Sequence, residues 1–384
     1  MISDTIPHFL CELILTEDCN LRCKYCYENA NRCSNSYMSF DIAKKSADFV
    51  LDYAFNHGIG FVVWTFFGGE PLLNLDVMVK FLHYAVDKAN QYGIKSGFSL
   101  ITNGTIYNKQ YEEFILDWYK ATKKVNIQIS TDGIPEVQDK NRASINGQPT
   151  SGTVLNNILK LKAFLEQNHI DYKSSFHTHS IITKDAISKF FLNYKYFRQL
   201  GINHVEFMLS YNEAWEESDI PEYIEQLSLI ADYVYGECIE ACSLIPYENA
   251  RLIIGLKPPA PIIENKRTIR RLEECAIVPN GDIYSFENMY FHNRNFKLGN
   301  IFDGIIESNN SIKTFLDACQ SSNDTTCFQC GRNMECDKYK NLIRFKYNEA
   351  KKAFLIETKK RFDKLSGKLN YNKCNELKVF NAIN

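Results

Sequence analysis

Neither sign of charge dominates this sequence. Its 44 Lys and Arg are met by 46 Asp and Glu, a formal net charge of −2, so the balance implies no basic nucleic-acid surface. No apolar run reaches the roughly 18 residues that would suggest a membrane span. Met1–Pro7 hold an acid and no apolar core, so they do not read as a secretory signal; the cytoplasm is the expected location. Repeats and low-complexity tracts are missing as well. What is present is folded-protein composition: 45% hydrophobic and 13% aromatic residues over 384 positions, enough chain for two or three domains.

Cysteine is in unusual supply. There are 13, an odd number. A reducing compartment argues against a disulfide framework, which leaves metal or cluster ligation to be decided by spacing. Two stretches are cysteine-dense, 11–33 and 319–336.

Between Thr16 and Ser210 short β-branched or aromatic runs alternate with longer runs of helical period. The expected strands are Phe9–Thr16, Phe61–Phe67, Gly97–Thr102, Val125–Ser130, Tyr172–Ile181 and His204–Leu209. Helices are expected over Phe40–Asn56, Leu75–Tyr92, Asn108–Tyr119, Val154–Gln167 and Asp185–Leu200, with one more over Pro221–Ile245. Such alternation reads as right-handed βαβ units around a parallel sheet, an α/β fold with six strands and its function at their C-terminal ends. Pro258, Pro259 and Pro261 mark a linker, Asn280-Gly281 a hairpin, and Asp337–Lys364 a Lys-rich helix. The expected domains are 1–245, a linker over 246–263, and a small α+β cysteine-rich domain over 264–384.

Cys19, Cys23 and Cys26 give C-x3-C-x2-C directly after the first expected strand. Three thiolates on one short loop suit three irons of a [4Fe–4S] cube and leave the fourth iron open. A zinc site is the plainer alternative, but it explains none of the other loops. Cys11 reads as a small buried hydrophobe, and Cys238 and Cys242 as core thiols one helical turn apart. The second strand is followed by Gly68-Gly69-Glu70-Pro71, the third ends in Thr102-Asn103-Gly104, and the fourth ends in Ser130-Thr131-Asp132-Gly133, with Arg142 beyond it. Each taken alone reads as a turn or a surface residue. Together they fall at the C-terminal ends of consecutive strands.

This order of motifs resembles the radical SAM superfamily, whose barrel is a partial (β/α)6 barrel. The resemblance implies S-adenosyl-L-methionine (SAM) and a [4Fe–4S] cluster as cofactors, with Cys19, Cys23 and Cys26 as cluster ligands. It places Tyr27 beside the adenine, and Gly68, Gly69 and Glu70 at the SAM amino group. It assigns Ser130 and Arg142 to the carboxylate, and Asn103 and Leu209 to the same SAM pocket. Further along, Cys275, Asn280-Gly281, Leu298-Gly299-Asn300-Ile301 and then Cys327-x2-Cys330-x5-Cys336 resemble the SPASM and twitch auxiliary-cluster domains. Two of that pattern's cysteines are replaced here, by Phe286 and Lys340. One auxiliary [4Fe–4S] cluster is therefore expected, held by Cys327, Cys330, Cys336 and a fourth ligand. That ligand is Cys374, or alternatively Cys275, which otherwise reads as a buried thiol. Zinc at this second cluster is the rival reading, and Cys319 reads as a packed thiol.

Domains of this kind accompany enzymes that modify peptides. The implied activity is a precursor-peptide maturase: a 5′-deoxyadenosyl radical takes hydrogen from a ribosomally made peptide, leading to a thioether or carbon–carbon crosslink. Anaerobic sulfatase maturation to formylglycine and peptide epimerisation are the alternatives. Implied partners are the precursor peptide and an electron donor such as flavodoxin or ferredoxin; since only 18 residues precede Cys19, leader binding is expected from a separate protein or from the enzyme's own surface; no nucleic acid and no membrane is expected. Glu287 matches the place of the sulfatase maturases' catalytic acid. His177 and His179, on one face of the fifth strand, are the other candidates for a base.

Overall fold

The computed structural model describes residues 8–30, 35–210, 213–241, 243, 246, 274–285, 290–291, 294, 297–305 and 338–366. The chain forms two compact units that interleave along the sequence: residues 1–130, 141–176 and 265–335 in one, and 131–140, 177–264 and 336–384 in the other.

The first unit is built on strands β1 (His8–Thr16), β2 (Phe61–Gly68), β3 (Lys95–Thr102) and β4 (Ile127–Ser130). They lie side by side in chain order and all parallel. The crossovers run through α1 (Phe40–Asn56), α2 (Leu75–Gln91) and α3 (Lys109–Thr122). Side-chain caps start two of these: Ser39 accepts from the Ile42 N–H, and Asn108 from the Tyr111 N–H. The helices press an aromatic core onto the sheet. Trp64, Phe66, Phe81, Phe98, Phe114 and Trp118 form ring pairs with centroids 5.1–6.5 Å apart. All but Phe98, at 5% exposure, are essentially inaccessible. After β4 in sequence comes the short helix α4 (Pro135–Asn141), which the periodicity does not reveal and which belongs as far as Lys140 to the second unit; α5 (Ser151–Gln167) is again in the first.

On its other side β1 carries a strand that local pattern does not foresee. The Asn280-Gly281 hairpin forms from β7 (Glu274–Ile277) and β8 (Asp282–Tyr284), with Gly281 at φ +83°. β7 joins β1 in parallel, with Cys11 in register with Cys275. β8, β9 (Gly299–Asn300) and β10 (Gly304–Ile305) extend the edge antiparallel.

The second unit pairs β5 (Phe176–Ile182, from His177 onward) with β6 (Val205–Leu209) in parallel. Helices α7 (Phe190–Gln199) and α8 (Ile220–Ala241) belong with them, Phe207 packing on Phe190 and Phe197 at 4.6 and 6.3 Å. The Lys-rich helix α9 (Lys338–Ser366) lies on α8, with Phe362 against Tyr235 at 5.6 Å.

Two expected elements differ. Tyr172–Ser175 is a helical turn, α6, rather than the start of the fifth strand. The Asp171 carboxylate caps it by accepting from the Lys173 N–H, and the Ser175 hydroxyl donates to the Asp171 carbonyl at 2.7 Å. The helix expected over Asp185–Leu200 begins as a tighter 3₁₀ stretch, Lys184–Lys189, before α7.

Candidate active site

The three leading cysteines lie on the loop that leaves β1. All three are half-buried. That loop is wedged against the loop after β2: the Gly69 N–H donates to the Thr16 carbonyl at 2.9 Å and the Glu70 N–H to the Asp18 carbonyl at 2.8 Å. No side chain fits between them. A Cβ on Gly68 would lie 2.2 Å from the Thr16 oxygen, and one on Gly69 2.2 Å from the Asp18 oxygen. Gly68 also sits at φ +127°, a region L residues rarely adopt. The glycines of the motif thus serve backbone-on-backbone approach.

The far side of the cysteine loop is held by the segment after α4. Arg22 N–H donates to the Ala143 carbonyl at 2.8 Å and Lys24 N–H to that of Asn141 at 2.9 Å. Arg142, only 6% exposed, lies between these anchors with its guanidinium 5.2 Å from the Tyr25 ring centroid. Its Nη1 is 4.0 Å from Cys23 Sγ. Cys19 Sγ accepts from the Leu21 N–H at 3.4 Å and from Asn103 Nδ2 at 3.7 Å. N–H donors around thiolate sulfurs are what a cluster site supplies. Among the described residues no three Cys, His, Asp or Glu side chains close on a single metal ion. A four-iron cube binds each thiolate to its own iron, so its ligands do not converge on one point. Three half-buried thiols with N–H groups beside two of them fit such a group.

Glu70 is fully buried. Its Oε1 accepts from the Leu72 N–H at 3.1 Å and the Thr102 hydroxyl at 2.8 Å, and its Oε2 from the Asn103 N–H at 2.8 Å. It therefore ties the end of β2 to the end of β3. Burial raises its carboxyl to about 7, against the opposing pull of those three donors. The side chain is structural, and its own N–H belongs to the contact with Asp18.

Tyr27 packs edge-on against Phe291 with centroids 5.9 Å apart. Ser130 ends β4 in the same unit, and Leu209 ends β6 in the second. Cys275 is buried, its sulfur 3.8 Å from Cys11 Sγ. Burial, with Cys275 beside it, pushes the Cys11 thiol well up, so it stays protonated. Cys242, Glu287, Phe286, Cys319, Cys327, Cys330, Cys336 and Cys374 lie outside the described residues, as do the side chain of Lys340 and residues 247–263 of the expected linker. In the second unit, His177 and His179 sit half-buried at alternate positions of β5, with Glu206 in register with His179. Burial, then the neighbouring His204, lowers His177 to about 4, so it is neutral near neutral pH. The contact with His204 lowers Glu206 to about 2.

Sequence reasoning did not find Glu17, 1% exposed at the end of β1, nor its partners Tyr290 and Arg294. The signal available was a lone acid two residues before the first ligand cysteine.

Several known proteins resemble this chain. Residues 13–172 match the radical SAM superfamily model. A cysteine-type anaerobic sulfatase-maturating enzyme of Clostridium novyi is 29% identical over 198 residues, 50% of this chain and 48% of that protein. A radical SAM cyclopropyl synthase of Paramaledivibacter caminithermalis is 22% identical over 345 residues, 83% of this chain and 65% of its own length. The chain thus spans about half the length of the sulfatase-maturating relatives it matches. Among solved structures, anSMEcpe with bound AdoMet and the Cp18Cys peptide superposes with a TM-score of 0.64 at 18% identity, covering 93% of this chain and all of that one. At 18% identity that likeness speaks for the fold alone. Over residues 13–172 the chain is thus similar to the radical SAM superfamily.

Proposed function

We propose that this protein is a SAM-cleaving enzyme that oxidises a peptide and installs a crosslink in it. The observation that carries the reading is the joint geometry of the cysteine loop, the Gly68-Gly69 loop and Arg142: backbone hydrogen bonds fasten both the glycine loop and the residues flanking Arg142 to the cysteine loop. Cys19, Cys23 and Cys26 would hold a [4Fe–4S] cluster, and SAM would lie over the loops that end β2, β3 and β4. Together these cofactors supply one-electron chemistry: reductive cleavage of the sulfonium, and removal of a hydrogen atom from the substrate.

The chain's own residues bind and orient. Gly68 and Gly69 give room for close backbone approach by an amino group. Arg142 is buried and held by loop anchors on both sides, so its fork is pre-set for a carboxylate. Tyr27 offers a ring for an adenine, backed by Phe291. A peptide substrate is supported by relatives whose names carry sulfatase maturation, and by the neighbour with a peptide bound. The crosslink over formylglycine is supported by the replacements at Phe286 and Lys340, and by the long match to the cyclopropyl synthase. Formylglycine formation is the second reading, since a sulfatase-maturating relative matches at 29% identity against 22% for the cyclopropyl synthase. One auxiliary cluster, with Cys327, Cys330, Cys336 and Cys374 or Cys275 as ligands, belongs to this proposal, as does Glu287 as the proton acceptor.

The test is anaerobic turnover with candidate precursor peptides, read by mass spectrometry. A product lighter by two hydrogens, about 2 Da per event, supports the crosslink. Formylglycine on a sulfatase peptide moves the protein to the second reading, and an epimerised peptide of unchanged mass contradicts both.

A further inference from the structure

One buried carboxylate beside the cysteine loop has no part in the chemistry proposed above. Glu17 lies two residues before Cys19 and is 1% exposed. Its backbone belongs to the wall beneath the glycine loop: a Cβ on Gly69 would meet the Glu17 oxygen at 2.7 Å. Its side chain reaches the segment that follows β8. The Tyr290 hydroxyl donates to Oε1, and Arg294 Nη2 donates to Oε2 at 2.9 Å. Arg294 also stands over the Tyr290 ring, 4.7 Å from its centroid, and its carbonyl accepts from the Tyr284 hydroxyl at 3.1 Å. Phe291, 5.0 Å from the Tyr290 ring, in turn backs Tyr27. One acid therefore joins the cysteine loop, the glycine loop and the aromatic segment beyond the barrel strands.

We propose that Glu17 is a positioning residue for SAM: through Tyr290 and Arg294 it fixes the cysteine loop, and through the same segment it fixes Tyr27. This rests on SAM binding at the site proposed above. The physical reason is that a buried carboxylate is costly unless paired and hydrogen-bonded, so its place is set by where its partners stand. Remove the partners and the carboxylate draws in water or swings out. It then carries with it a backbone that has no slack, because Gly69 already rests against it.

The experiment uses the reconstituted full chain in four variants: Glu17→Gln, Arg294→Ala, Arg294→Lys and the double Glu17→Gln/Arg294→Ala. The Arg294 side chain is 40% exposed, so its truncation leaves the core closed. Equilibrium SAM binding should weaken about tenfold in Glu17→Gln and in Arg294→Ala, the scale of a hydrogen bond to a charged group. The double variant should be no weaker than the worse single one, because both remove the same joint. Arg294→Lys should recover part of the loss. At saturating SAM, 5′-deoxyadenosine formation should stay within about twofold of wild type, which separates positioning from chemistry. Amide exchange of residues 17–28, read without SAM, should rise in both single variants.

Unchanged SAM affinity in the single variants overturns the proposal, and so do losses that simply multiply in the double. Faster exchange at 290–294 with none at 17–28 overturns it too. Should wild type bind no SAM at all, the function proposed above falls, while the exchange measurement still decides whether Glu17 is the joint.

Discussion

Replacing Glu70 by Gln sets two effects of similar size against each other, and pH separates them. The carboxylate takes three donors: Leu72 N–H and Thr102 hydroxyl on one oxygen, Asn103 N–H on the other. A Gln carbonyl can keep the pair, but its amide then faces the Asn103 N–H. Leaving that buried donor unmet costs about 1–3 kcal/mol. Against this stands the cost of a buried charge. Burial raises Glu70 from 4.5 to about 7. At ~1.4 kcal/mol per pH unit, that gap amounts to about 3 kcal/mol. A carboxyl whose folded value lies above its unfolded one contributes fully below pH 4.5, and the contribution is lost as pH rises through about 7. Gln has no such dependence. Wild type should therefore exceed Glu70→Gln in stability at pH 4.5 by about 1–3 kcal/mol. The difference should vanish or change sign by pH 8, a swing of about 3 kcal/mol. Urea midpoints compared at a common slope across that range measure it. A difference that stays flat with pH would refute the buried-charge reasoning; one that grows with pH would mean the three hydrogen bonds outweigh burial.

Four further outcomes follow from the same geometry. Gly69→Ala should abolish SAM binding or cost more than ~3 kcal/mol, because the new Cβ meets backbone rather than a yielding side chain; isothermal titration and thermal unfolding check it. Arg142→Lys should keep the fold but lose the planar fork over Tyr25, weakening SAM about tenfold or more by equilibrium binding. Trp118→Ala should destabilise the aromatic core by about 3–5 kcal/mol without touching the site, so SAM affinity at low temperature should hold. Iron analysis should give about eight atoms per chain, and about four in the triple Cys19, Cys23, Cys26→Ala variant; about twelve, or zinc in the variant, would contradict a single auxiliary [4Fe–4S] cluster.

Much of this architecture was legible because the barrel strands announce themselves locally. Runs such as Phe61–Phe67 and Gly97–Thr102 are β-branched or aromatic and bounded by turn residues, so their order and their C-terminal loops could be read directly. The glycines and cysteines then fell at the right ends. What was not legible depends on contacts distant in sequence. The pairing of β7 with β1 joins Cys11 to a residue 264 positions away, and nothing in the local pattern of either strand states it. The Glu17–Arg294 ion pair spans 277 positions and looks from the sequence like two ordinary surface charges. Tyr172–Ser175 shows a smaller failure of the same reading. Its aromatic and serine residues suit a strand edge, but the Asp171 cap decides for a helical turn. Glu70 stands in a recognisable Gly-Gly-Glu motif, yet nothing in that motif states that its side chain faces inward to bind the end of β3.

The most direct test is the amount of 5′-deoxyadenosine formed under dithionite by the anaerobically reconstituted protein and by its Cys19, Cys23, Cys26→Ala variant. The account predicts SAM-dependent deoxyadenosine from wild type and none from the variant, while the variant keeps its fold. Equal yields from both, or none from a wild type shown to carry its cluster, would contradict it.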